Sequence, residues 1–233
     1  MSAPSPRLAA ATGVGMALVG GYVDVVGFVL LFGLFVNHAT GNLVMLGVSL
    51  AGGGQGIATK LLSLPVFIAA AAATYVMICR RRARGQANEA AVLLLQAAML
   101  LVFMLLTVVA LPADNADQPA VMLAGLVGVC AMAVQNVGAR VVFSHLAPTT
   151  IMTGNVTQIA IDLVDLLTSK NGLDEALRAR IVKTWPPVMA FAVGAIGGAI
   201  GVLAAGAWSL LPAAVVVAIL GCLYARAPRP VKA

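Results

Sequence analysis

Residues 35–47 read "FVNHATGNLVMLG", and residues 148–160 read "PTTIMTGNVTQIA". Each sets Thr-Gly-Asn inside an apolar run: Thr40, Gly41 and Asn42, then Thr153, Gly154 and Asn155. What surrounds them decides the solvent. Hydrophobic residues make up 61% of the chain, charged residues 9%, and mean hydropathy is +1.03. A soluble domain carries roughly a quarter charged residues, so this chain cannot clothe an ordinary water-facing surface. It reads as an integral membrane protein, whose length is counted in spans of about 20 residues. The net charge of +6 does not point to nucleic acid, because the basic residues cluster between apolar runs, where they set topology. The first run, Val14 to Val36, exceeds a signal-peptide core, and no small-residue cleavage site ends it.

Six spans are expected, at about 13–36, 61–79, 90–111, 119–139, 185–206 and 208–224. The two Thr-Gly-Asn segments, 39–51 and 148–167, fall between spans one and two and between spans four and five. The first is too short to cross a hydrocarbon core of about 30 Å as a helix. The second carries Asp162 and Asp165, which are costly against lipid. Both read as re-entrant half-helices. "RRRAR" (80–84), the linker with Lys170, Arg178, Arg180 and Lys183, and the tail with Arg226, Arg229 and Lys232 all favour the cytoplasmic side. The acidic connection "PADNADQP" has no basic residue and belongs outside. Both termini are then cytoplasmic. Eight full crossings would put the basic linker and tail outside, so six is preferred.

The halves resemble each other. "GYVDVVG" (21–27) aligns with "MAVQNVG" (132–138), pairing Asp24 with Gln135 and Val25 with Asn136. The expected fold is an all-α polytopic protein, a single transmembrane domain over 1–233. It holds two three-helix repeats at about 13–111 and 119–224, each with a broken Thr-Gly-Asn half-helix. Three spans per repeat is odd, so the repeats are inverted, a recurrent build for transporters and channels.

Asp24 falls near the middle of the first span, where an ionisable group usually faces the bundle interior or a wet cavity. It is either a pathway carboxylate or a hydrogen-bonded staple between helices. Gln135 and Asn136 are its pseudo-symmetric counterparts or helix glue. In each tripeptide, Gly permits close approach, while Thr and Asn suit a helix start. Two such starts aim positive dipole ends inward and could hold an anion or an electronegative group; the plain reading is two tight helix crossings. His38 and Asp162 are candidates for a gate or proton relay, against a hydrogen-bonded His and an Asp on a cytoplasm-facing stripe. His38 and His145 precede their tripeptides by unequal spacings, so no metal site is expected. Cys79, Cys130 and Cys222 suit helix packing. Gly194, Gly197, Gly198 and Gly201 form overlapping G-x-x-x-G patterns. Pro65, Pro186 and Pro187 are expected near span starts. "AGGGQG" (51–56) lacks the Lys-Ser/Thr of a phosphate loop. No catalytic motif occurs, so neither an enzyme nor a cofactor is expected.

Taken together, "GYVDVVGF", "FVNHATGNLVMLG", "AVQNVGAR" and "TTIMTGNVTQIAIDL" give the chain a resemblance to the YoaK family of bacterial polytopic inner-membrane proteins, also grouped as DUF1275. The resemblance runs from about Thr12 to Tyr224 and implies a membrane protein with repeats, transport being suspected in the family. The function expected is a transporter or channel for a small molecule or ion, through a midplane site between the half-helices. The alternative is a non-transporting scaffold or sensor whose polar residues only pack helices. The expected partners are the lipid bilayer, the solute and a second copy through glycine-rich helix faces.

Overall fold

A computed structural model describes residues 5–150, 152–168 and 174–227. These form eight α-helices: α1 Pro6–Leu30, α2 Gly41–Leu50, α3 Ile57–Ala83, α4 Glu89–Ala110, α5 Pro119–Val141, α6 Met152–Thr168, α7 Glu175–Ala205 and α8 Leu210–Arg226. A 3-10 turn, Gly206–Ser209, separates α7 from α8. Five helical stretches are long and apolar enough to cross a membrane, and the last of them, Glu175–Arg226, is the 52-residue stretch this turn divides. The division falls between the fifth and sixth spans expected from sequence, which therefore share one continuous apolar stretch. Prolines 65, 186 and 187 lie inside α3 and α7, not near their starts. Both helices begin earlier than their apolar runs do.

The first expected span also needs correcting, because it is helical only to Leu30. Phe32 and Gly33 take positive φ (55° and 80°), a conformation glycine tolerates and other residues rarely adopt. There the chain reverses. The Gly33 N–H donates to Phe28 O at 2.9 Å. Residues 34–38 then run back beside α1, with Val36 against Gly27 and His38 against Asp24. α2 starts at that depth and rises again for about 15 Å at 1.5 Å per residue, half a hydrocarbon core. The second half repeats the manoeuvre: α5 ends at Val141, the chain turns back until Thr149 reaches Gln135, and α6 leaves from Met152.

Two bundle ends can be told apart by their bonds. At one, Arg82 Nη2 donates to Val141 O at 2.8 Å, and Thr12 Oγ1 meets the Tyr224 hydroxyl at 3.2 Å. At the other, Asp117 accepts from the Thr59 N–H at 3.0 Å and from its hydroxyl at 2.8 Å, satisfying free donors at the start of α3. The buried Lys60 Nζ donates there to Phe32 O at 3.1 Å and to Gln55 O, tying α3 to the α1 reversal. α2 leads to this second end, whereas α6 leads to the arginine-bearing end, where Arg180 of α7 holds it. α1 packs on α7 and α8, α5 on α3 and α4, α4 on α8, α2 on α3, α6 on α7, and α1 touches α5.

In lipid the tails are as apolar as leucine, so close packing rather than hydrophobicity joins helices. The α1–α7 crossing shows how. A Cβ at Gly194 would fall on Leu18 O, and one at Gly21 on Phe191 O. Gly198 is equally tight against Tyr22 O. Gly194 and Gly198 are thus spent on backbone contact of α7 with α1, while Gly197 and Gly201 face the Tyr22 side chain.

Candidate functional site

Asp24 is buried on α1, and both of its oxygens are engaged by the returning segment. Oδ1 accepts the Asn37 N–H at 2.9 Å, and Oδ2 faces His38 Nδ1. The Asp24 side chain is 5% exposed and that of His38 39%, so the imidazole connects the carboxylate to the surface. Phe35 and Phe191 flank the imidazole edge-on, each with centroids 5.9 Å away. Asn37 Oδ1 accepts from Asn136 Nδ2 at 3.3 Å, so one of the counterparts read from sequence reaches the Asp24 group through a single residue.

Gln135, buried on α5, has different chemistry. Its Nε2 donates to Met16 O at 2.9 Å and approaches Thr149 Oγ1 at 3.5 Å, and its Oε1 accepts from Gln96 Nε2 at 2.6 Å. The two broken segments converge over Gly20. An ideal Cβ there would stand 3.4 Å from Asn37 Nδ2, Gln135 Nε2 and Thr149 O alike, so the absence of a side chain lets both dips meet α1. Asn37 Nδ2 is buried without a partner among the described residues.

The tripeptides do not act as the sequence leads one to expect. Thr40 is exposed at the start of α2 and makes no side-chain cap bond. Thr153 and Gly154 are exposed on α6, while Gly41 is half-buried against Phe35. The asparagines point backwards instead. Asn42 Nδ2 donates to Phe35 O at 2.7 Å and its Oδ1 accepts the Phe35 N–H at 2.9 Å. Asn155 Nδ2 donates to Pro148 O at 2.7 Å, again seven residues back. Each asparagine therefore ties the break to its half-helix. The side chains brought together centrally belong to residues just ahead of the tripeptides.

A family model described as "Protein of unknown function (DUF1275)" matches residues 12–223. The chain belongs to the DUF1275 family. No curated protein and no solved structure matches it. The match spans both broken segments and every residue of this DUF1275 site.

Asp162 lies apart from that centre. Buried on α6, it accepts from Arg180 Nε at 3.0 Å and Gln158 Nε2 at 2.9 Å, while Arg180 Nη2 reaches Asp165 at 2.6 Å. That cluster ties α6 to α7 near the arginine-bearing end. His145 is exposed. Among the described residues no three His, Cys, Asp or Glu side chains converge as metal ligands. Two surface clefts, one of about 340 Å³ beside Asp114 and Asp117, lie at the opposite end and not at Asp24. The sequence does not single out Asn37, Thr149 or Gln96. Gln96 carries a readable signal, being the lone amide in an otherwise apolar span.

Proposed function

We propose that this DUF1275 protein passes a small solute or ion across the membrane through the meeting point of its two broken segments. The observation that carries this is the Asp24–His38 pair: a buried carboxylate and a half-exposed imidazole where the chain is non-helical at membrane depth. Irregular backbone is tolerated at that depth where it is buried in protein or lines a water-filled cavity. Ionisable groups placed there are costly and mark solute or proton pathways. The exposed Thr40, Thr153 and Gly154 then line the path, beside the positive ends of two half-helix dipoles.

An inverted repeat gives this site its form. Exchange α1 with α5, α2 with α6, α3 with α7 and α4 with α8, and the helix-to-helix contacts map onto themselves. α1–α7 becomes α5–α3, α1–α8 becomes α5–α4, α2–α3 becomes α6–α7, and α4–α8 and α1–α5 are unchanged. The half-helices running to opposite ends support the inversion. Cytoplasmic termini agree with the Lys and Arg placement, and a bacterial inner membrane with the family resemblance.

One observation favours the scaffold reading: Gln135 ties α5 to α4 through Gln96 and to α1 through Met16 O, as helix glue would. Cysteine accessibility separates the two. In a variant lacking Cys79, Cys130 and Cys222, single cysteines at Thr40 and Thr153 are challenged in cells with a charged, membrane-impermeant thiol reagent. A water-filled path makes both reactive, and an inert pair leaves the scaffold reading standing.

A further inference from the structure

We infer that the central site exchanges a single proton for a single monovalent cation, with Asp24 and His38 as the proton-carrying pair. This rests on the transport reading above. The charges around the pair carry it. α2 has no ionisable residue. From α7 the side chain against His38 is Phe191, and the ionisable residues Glu175, Arg178, Arg180 and Lys183 all lie well before it along the helix. From α5 the neighbour is Asn136, acting through Asn37, with the exposed Arg140 a turn further on. On α1 itself, Arg7 sits near the helix start, and Tyr22 faces the α7–α8 turn. α8 brings Tyr224, bonded to Thr12, and Arg226 in its last turn. Every other ion pair among the described residues belongs to Arg180. The buried Lys60 of α3 is spent on Phe32 O and Gln55 O, and among the described residues no other charged side chain is paired with Asp24 or His38.

Its two protonation states therefore differ by a whole charge. With His38 protonated, the imidazolium Nδ1–H faces the Asp24 carboxylate and the pair is neutral. When Nε2 releases its proton to water, the imidazole keeps Nδ1–H on Oδ2, Nε2 regains its lone pair, and one negative charge remains. A lone carboxylate charge at that depth is costly. A cation drawn from solution removes the cost, so proton and cation compete for one place. His38 is the member exposed to exchange, since Asp24 is buried behind it.

Two ionisable ligands are few for a protein-held divalent ion, which gathers several carboxylate or imidazole donors. A monovalent cation that shares Asp24 with amide oxygens and water suits the donors present. The other repeat adds no second proton, because Gln135 stands where Asp24 does and is neutral in every state.

The test is thermal unfolding of the full-length protein in detergent, at constant ionic strength, titrated with sodium, potassium or tetramethylammonium across about pH 5 to 9. At least one cation should raise Tm saturably. Its half-saturating concentration should rise about tenfold for each unit the pH falls through the competing range. Asp24→Asn should abolish the response. His38→Gln should keep the cation response and lose its pH dependence, and it decides the matter alone if Asp24→Asn does not fold. No stabilisation by any of the three cations, or both variants responding as the parent does, overturns the inference. In liposomes holding a pH-sensitive dye, cation flux without proton counterflow also overturns it yet leaves transport standing. Inert cysteines at Thr40 and Thr153 overturn transport as well.

Discussion

The two broken segments, 34–42 and 148–155, solve one geometrical problem with the same residue and then part company. Each is closed by an asparagine donating to a carbonyl seven residues back. In the first, Phe35 also offers its N–H to Asn42, and the returning chain places Asn37 and His38 on Asp24. In the second, Pro148 has no N–H to offer, and the returning chain places Thr149 on the neutral Gln135. Shape is duplicated and charge is not. Closing a break takes one backward hydrogen bond, which both halves keep. Carrying charge at the break needs a carboxylate there, which the first break meets in Asp24 and the second, facing Gln135, does not.

The largest expected effect breaks that comparison at its charged side. Asp24→Asn keeps an acceptor for the Asn37 N–H and removes the charge, its amide N–H meeting His38 Nδ1 once the imidazole carries its proton on Nε2, so solute flux in liposomes should fall to background while the folded yield holds. Gln135→Leu should lower flux only through stability, by about 1 to 2 kcal/mol, the upper range for interhelical bonds in membranes. Equal flux in Asp24→Asn and the parent would make Asp24 a staple. Next in size is a contrast of closures. Asn42→Ala strands both polar groups of Phe35 and should cost about 1 to 2 kcal/mol, whereas Asn155→Ala strands one carbonyl and should cost about half as much. Unfolding in mixed micelles with increasing denaturing detergent ranks the two.

Pro148→Ala sharpens the same contrast by restoring the missing N–H. In that background, Asn155→Ala should become as costly as Asn42→Ala; an unchanged cost would mean that the Phe35 N–H bond contributes little. The smallest effect concerns how α3 and α7 begin. α7 is capped by its own Asp174, which accepts from the Leu177 N–H at 2.6 Å, whereas α3 borrows Asp117 from the α4–α5 connection. Burial pushes the Asp117 carboxyl up, but the Thr59 N–H and hydroxyl, the Ala58 N–H and Lys60 outweigh it, and it titrates below its ordinary 3.8. A depressed carboxylate stabilises fully above that ordinary value, and the stabilisation is lost as pH falls through the lower, folded one. Tm should therefore drop slightly more on acidification in the parent than in Asp117→Asn. The group is mostly solvated, so the difference is small.

The membrane class, the all-helical fold and the place of Asp24 inside a helix were legible in the sequence, because composition, long apolar runs and an acid within one of them are local signals. The fold-back was not. Leu31 to Val36 are apolar and extend the helical run by pattern, while the reversal depends on Phe32 and Gly33 adopting positive φ. That reversal brings Asn37 and His38 to Asp24, so the pair could not be read before the turn was known. Lys60 was hidden for a similar reason. A lysine at a span's edge reads as a headgroup contact, whereas here it is buried against carbonyls of two other segments. The backward asparagine bonds escaped a reading that expected forward caps, since Asn suits both uses equally.

The glycine seam between α1 and α7 has a consequence for how the protein comes to exist. α1 leaves the ribosome with five helices still to come before α7, the helix that accepts Gly21 and presents Gly194. Throughout synthesis of the first half, the small-residue face of α1 has no mate. The Asp24 that projects from this helix must be carried into the bilayer before its final neighbours exist. Insertion and assembly are thus separate events in time, and a ribosome stalled between the halves should leave a chain inserted but open to membrane proteases. The later arrival of α7 is then the step that closes this seam, before α8 packs on α1 and α4.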